Sequence, residues 1–180
     1  MTGPVVGFAG LTHLGVVSAA ATAAVGFRVI GFDPDVSRAR DLAEGRTAIV
    51  EPGLDALLRE YQSRLRFTAE PAGLGACDVL YVASDVPTDD RGQSDLAGIT
   101  RLIDTVIAVL GSRTVLVVLC QVPPGFTRGL PVPGERDVRG KGDSRGKERG
   151  KGDKSHYCFP ITAFCSAANG LFAAARVGAA

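Results

Sequence analysis

Gly10, Thr12 and Gly15 stand in the spacing G-x-T-x-x-G, between the apolar run Val5, Val6, Phe8, Ala9 and an Ala-rich segment. A strand that enters such a turn and leaves it as a helix presents backbone N–H groups at the helix N-terminus, the arrangement that cradles a pyrophosphate. In the usual G-x-G-x-x-G pattern the first glycine makes the tight turn, the second admits the phosphates, and the third lets helix and strand pack closely. Gly10 and Gly15 fill the first and third places. Thr12 takes the second, where its Cβ crowds the approach while its hydroxyl can donate a hydrogen bond to a phosphate oxygen. Asp33 follows Gly10 by 23 residues and ends the next apolar run. An acid there accepts from the adenosine ribose hydroxyls and repels the extra phosphate of NADP, so NAD is the expected cofactor. The plainer alternative is that Asp33-Pro34-Asp35 is only a turn and a helix cap. His13, beside the loop, also has two readings. It is either a first-turn residue with no special task, or a neutral imidazole that hydrogen-bonds the cofactor where the positive helix end disfavours protonation.

The elements that must position these residues are legible as alternating short β-branched runs and longer amphipathic ones. "PVVGFA", "RVIGFD", "RLRF", "DVLYVA" and "RTVLVVLC" read as strands, the last a buried one. Helices are expected over residues 13–25, 35–44, 53–62 and 95–110. Leu54, Leu57, Leu58 and Tyr61 share one helix face; Leu96, Ile99, Ile103, Val106, Ile107 and Leu110 form a broad stripe on another. Continuous apolar strands separated by helices predict an α/β fold, a Rossmann-like doubly wound parallel sheet covered on both faces.

The character changes at Pro131. Residues 135–154 number 20, of which 13 are charged, five are Gly and only Val138 is apolar, and "RGKGD" occurs twice. Such a segment buries too little to offset its chain entropy. Three parts result: residues 1–130 as a Rossmann domain, 131–155 as a charged, Gly-rich disordered linker, and 156–180 as an apolar tail of unassigned structure. The chain as a whole has 180 residues, 46% apolar and 22% charged, with net charge +1. No nucleic-acid or membrane partner is expected from that balance, and Gly10, His13 and Gly15 break the N-terminal apolar stretch too often for a membrane span or signal peptide. Cys77, Cys120, Cys158 and Cys165 have no C-x-x-C spacing. They read as reduced thiols of a cytoplasmic protein, with no metal site.

Four motifs in order resemble the N-terminal NAD-binding domain of the UDP-glucose/GDP-mannose dehydrogenase family. The loop at residues 10–15 is similar to the family's glycine loop, with Thr12 as the departure, and "VEPGLDALL" at 50–58 to its Glu-Pro-Gly-Leu segment. "VASDVPTDDRGQSDLAGI" at 82–99 resembles the loop after the fourth strand, with Asp85-Val86-Pro87 replacing Gly-Thr-Pro. "CQVPPGFTR" at 120–128 resembles Ser-Thr-Val-Pro-Pro-Gly-Thr-Thr, with Cys120 and Gln121 at the Ser and Thr positions. The resemblance covers about residues 4–130. It implies NAD bound by Gly10, Thr12, His13, Leu14, Gly15, Asp33, Asp85, Val86, Pro87 and Gln121. Glu51 is a candidate for the substrate side, its alternative being a first-turn acid at a helix start.

The family oxidises a nucleotide-sugar alcohol to a carboxylate with two NAD per turnover, through a cysteine nucleophile in a later domain. That cysteine motif and the family's Asn-Pro-Glu-Phe-Leu segment have no counterpart here, and Cys158-Phe159-Pro160 lacks the flanking glycines and Lys-Asp. No catalytic residue is therefore assigned. The resemblance implies a truncated chain without the last strand of the nucleotide fold, which leaves the fifth strand with an exposed edge. It also implies the absence of the family's dimer-forming region, so no oligomer is expected. The competing reading is a non-enzymatic NAD- or polyanion-binding protein. Its basis is the segment at 135–154, where eight basic residues against five acidic ones leave net +3 without aromatics for base stacking.

Overall fold

Alternation along the first strand decides how the chain packs. In β1 (Val5–Ala9) every residue is buried. Val5 and Ala9 enter one apolar cluster, while Val6 and Phe8 enter another on the opposite face. The computed structural model describes residues 3–89 and 94–130. The expected linker and tail, at 131–155 and 156–180, lie outside the described residues.

The remaining elements are α1 (His13–Ala24), β2 (Arg28–Phe32), α2 (Val36–Ala43), α3 (Leu54–Glu60), β3 (Leu65–Thr68), β4 (Val79–Val82), α4 (Ala97–Ile107) and β5 (Val115–Val118). They form a five-stranded, all-parallel sheet in the order β3-β2-β1-β4-β5. Ile30, Phe32, Leu80 and Val82 join α4 residues Ile99, Leu102, Ile103 and Val106 on one face. Val29 and partly buried Tyr81 join Val16, Ala19, Ala20 and Ala23 of α1 and Leu54 and Leu58 of α3 on the other. The sheet is covered on both faces, as a parallel sheet requires. The small residues of α1 let that helix lie close to the sheet, with seven of its 12 residues buried.

One expectation needs correction, and another stands in its place. The apolar run of β5 reads as a buried strand, yet Val115 is 53% exposed and the other three residues are half-buried, as expected of a fifth strand left at an edge. The cause is topological, since among the described residues β5 pairs only with β4 and forms an edge. Between β3 and β4 the chain makes a 3-10 turn at Pro71–Ala76, which the apolar pattern does not disclose. Gly73 and Gly75 disfavour a regular α-helix there, yet Leu74 is fully buried within the apolar cluster on the α4 face.

β1 and β4 are neighbours, although β2 follows β1 in the chain on its other side. This is the point at which the winding reverses, and ligands of open parallel sheets bind in the crevice beyond the carboxyl ends of such strands.

Candidate functional site

The crevice begins at Gly10. Its φ of +88° is left-handed, and a Cβ there would lie 2.7–2.8 Å from the backbone and Cβ of Ser84. Gly15, one turn into α1, is tighter still, because a Cβ would meet the Gly10 carbonyl oxygen at 2.0 Å. Only glycine permits this turn at both positions. The ladders extend into it: Gly10 N–H donates to Phe32 O at 2.9 Å, and Ala83 N–H donates to Ala9 O at 2.8 Å.

Asp33 lies directly after β2 and is almost wholly enclosed, its side chain 2% exposed. One carboxylate oxygen accepts from Leu11 N–H at 2.7 Å and from the Arg38 guanidinium at 2.9 Å; the other accepts from Asp35 N–H at 2.9 Å. Asp35 caps α2 by accepting from Ser37 and Arg38 N–H. The turn-and-cap alternative thus describes Asp35 and part of Asp33, while the Leu11 bond carries Asp33 back into the glycine loop. Arg38 was not singled out by sequence reasoning. Its signal is its place five residues after Asp33, in the first turn of the next helix, and its side chain remains 43% exposed at the crevice edge.

Thr12 requires a different account from the one its sequence position suggests. Its hydroxyl donates to Ala83 O at 3.3 Å and accepts from Asp85 N–H at 3.2 Å. The proton expected for a phosphate oxygen is held by the β4 loop, which the fold brings against the glycine turn. Leu14 packs partly against the core.

His13 and Glu51 come together, with imidazole Nε2 and a carboxylate oxygen 3.1 Å apart. Glu51 is not a first-turn acid. Glu51-Pro52-Gly53-Leu54 is a type II turn, with Gly53 at φ +83° and Leu54 N–H donating to Glu51 O at 3.1 Å. α3 starts only after it, and Asp55 is the acid of its first turn. Pro123-Pro124-Gly125-Phe126 repeats this device, with Gly125 at φ +90°.

Beyond β4, Asp85 and Pro87 are exposed, and Val86 packs partly against the core. Pro87 O accepts from Asp95 N–H at 2.8 Å, which folds the loop back toward α4. Gln121 is exposed just past β5. Cys120, next to it, is buried and donates its thiol hydrogen to Val82 O at 3.2 Å. Burial pushes this thiol up to about 12, and it pushes Cys77 to about 11, with Asp78 adding to the effect. Neither is a nucleophilic thiolate near neutral pH. Among the described residues no cluster of His, Cys, Asp or Glu could hold a metal ion, and no helix is long and apolar enough to cross a membrane.

Comparison with known proteins agrees with this architecture. The family described as UDP-glucose/GDP-mannose dehydrogenase family, NAD binding domain, matches residues 5–135. The UDP-glucose 6-dehydrogenase TuaD of Bacillus subtilis is 33% identical over 119 residues, which are 64% of this chain and 26% of that protein. The GDP-mannose 6-dehydrogenase of Pseudomonas putida is 33% identical over 138 residues, 73% of this chain and 32% of its own length. Among solved structures, a ternary complex of GDP-mannose dehydrogenase from Pseudomonas aeruginosa superposes with a TM-score of 0.64 at 28% identity. That match covers 69% of this chain and 30% of the other. A UDP-glucose dehydrogenase from Pyrobaculum islandicum gives 0.63 at 31% identity, covering 68% and 30%. The chain thus spans about a quarter to a third of the length of the relatives it matches.

Proposed function

This chain belongs to the UDP-glucose/GDP-mannose dehydrogenase family, whose NAD-binding domain it carries, and from that premise we propose that it binds NAD across the crevice between β1 and β4. The observation that carries the reading is the enclosure of Asp33. A buried carboxylate joined to the glycine loop through Leu11 N–H marks the adenosine end of a dinucleotide site.

The residues fit such a cofactor. The turn at Gly10 and Gly15 is too close for any Cβ, so the backbone at the start of α1 is what meets the pyrophosphate. Asp33 and Arg38 hold the adenosine ribose, and the negative charge of Asp33 disfavours the additional phosphate of NADP. His13, Leu14, Asp85, Val86, Pro87 and Gln121 line the path toward the nicotinamide, and Glu51 borders the substrate side. NAD supplies the hydride acceptor for oxidation of an alcohol. The residues of this chain orient it and limit access of water.

Alongside a substrate domain such as a full family enzyme has, this domain would serve the oxidation of a nucleotide-sugar alcohol, in line with the names of the B. subtilis and P. putida relatives. Burial keeps Cys77 and Cys120 protonated, so neither is proposed as the sulfur nucleophile of the second oxidation. Their free, buried state is in keeping with a cytoplasmic setting. The test is thermal unfolding of the chain with each cofactor. NAD is expected to raise Tm more than NADP at equal concentration. Equal shifts, or none, would sink the role given to Asp33.

A further inference from the structure

Two of the places where this chain departs from its family's pattern meet in one hydrogen bond. Thr12 stands where the second glycine belongs, and Asp85 stands where the loop after β4 has glycine. Thr12 Oγ1 accepts from Asp85 N–H at 3.2 Å and donates to Ala83 O at 3.3 Å, across 73 and 71 residues of chain. We infer that Thr12 is a positioning residue, a strut across the floor of the crevice that holds the β4 loop against the glycine turn before any ligand arrives. This rests on the reading of the crevice as the NAD site.

Three observations point the same way. Thr12 is the N-cap of α1 and a good capping residue by type, yet it makes no side-chain cap hydrogen bond. Its hydroxyl is committed to the other loop, so it does not occupy the first-turn N–H groups that the pyrophosphate would use. The backbone of Thr12 is extended, at φ −78° and ψ −170°, so threonine sits there without the strain that would demand glycine. Finally, the two loops already touch, because Ser84 leaves no space for a Cβ on Gly10. The strut closes the gap one residue farther out, where the β1–β4 ladder has ended at Ala9 and Ala83.

Ordering the β4 loop in advance removes an entropic cost from binding. The strut therefore acts on affinity through Asp85, Val86 and Pro87, and Thr12 itself need not contact the cofactor through its hydroxyl.

The test compares Thr12→Val, Thr12→Ser and Thr12→Gly in the full chain, reading hydrogen exchange at the Asp85 amide and NAD affinity by calorimetry. Thr12→Val keeps the shape, removes the hydroxyl and forfeits no cap bond. It is expected to speed Asp85 exchange and to weaken NAD binding, each by roughly three- to tenfold for one lost hydrogen bond. Thr12→Ser restores both to near the parent values, and Thr12→Gly, although it recreates the family pattern, does not. Unchanged Asp85 exchange in Thr12→Val would overturn the strut. So would restored exchange and tight NAD binding in Thr12→Gly. If the parent chain binds no NAD, the cofactor reading fails on its own and the strut is judged by Asp85 exchange.

Discussion

On the β2 side of the crevice a single carboxylate is enclosed by donors from three places: Leu11 in the glycine loop, Asp35 in the following turn, and Arg38 on α2. On the β4 side Asp85, Pro87 and Gln121 stand exposed. That bank is held by backbone bonds, such as Ala83 N–H to Ala9 O and Leu119 N–H to Val82 O, together with the Thr12 hydroxyl. The difference separates two kinds of constraint. Changes on the β2 bank disturb a buried charge and cost stability along with binding. Changes on the β4 bank reach solvent, leave the fold standing and register in binding alone.

The largest effect expected tests the turn from which both banks start. Gly15→Ala forces a methyl group against the Gly10 carbonyl, a backbone atom that cannot swing aside. It is expected to destabilise the chain by about 3 kcal/mol in urea unfolding. A loss below about 1 kcal/mol would mean that the turn relaxes freely and that its tightness has been overstated. Next is Asp33→Ala, which strands the buried Leu11 amide and removes the acceptor of the part-buried Asp35 amide and of Arg38. A cost of about 2 kcal/mol is expected, with loss of NAD binding. Asp85→Ala supplies the contrast. The strut uses its backbone N–H, so stability should remain within about 0.5 kcal/mol of the parent while NAD affinity falls. A stability loss as large as that of Asp33→Ala would erase the distinction between the banks.

The smallest effect concerns pH. Cys77 and Cys120 keep their protons in the folded chain up to about 11 and about 12, while an exposed thiol of the unfolded chain ionises near 9. Between these values the unfolded state binds fewer protons, so stability falls as pH rises. Below about 9 the thiols contribute no slope. A Cys77→Ala/Cys120→Ala double variant should show a flatter decline of urea midpoint from pH 9 to 11, and both parent thiols should alkylate slowly at pH 8 in the folded chain.

Much of the β2 bank was legible because its signals are local. The continuous apolar runs of β1 and β2 mark strands of a covered sheet, the glycine turn follows at once, and Asp33-Pro34-Asp35 announces both the carboxylate and the cap. The Pro-Gly pairs at 52–53 and 124–125 carry the signal of type II turns, since proline sets the first central φ and glycine permits the second, yet from sequence the first reads as a helix start. What escaped the sequence is contact across distance. Nothing near Thr12 indicates that its hydroxyl will find Ala83 and Asp85, and nothing near His13 announces Glu51. Among the described residues the exposure of β5 follows from the missing last strand of the nucleotide fold and not from its own residues. Val115, Leu116, Val117 and Val118 form an apolar run whichever place the strand takes, and the strand order makes it an edge.

The most direct measurement is an NAD titration of the 15N-labelled chain, following backbone amide shifts. A saturable response centred on Gly10, Leu11, Leu14, Gly15, Asp35 and Asp85, with a weaker response to NADP, is the result the crevice predicts. Binding that leaves those amides unmoved, or no saturation at millimolar NAD, would contradict it.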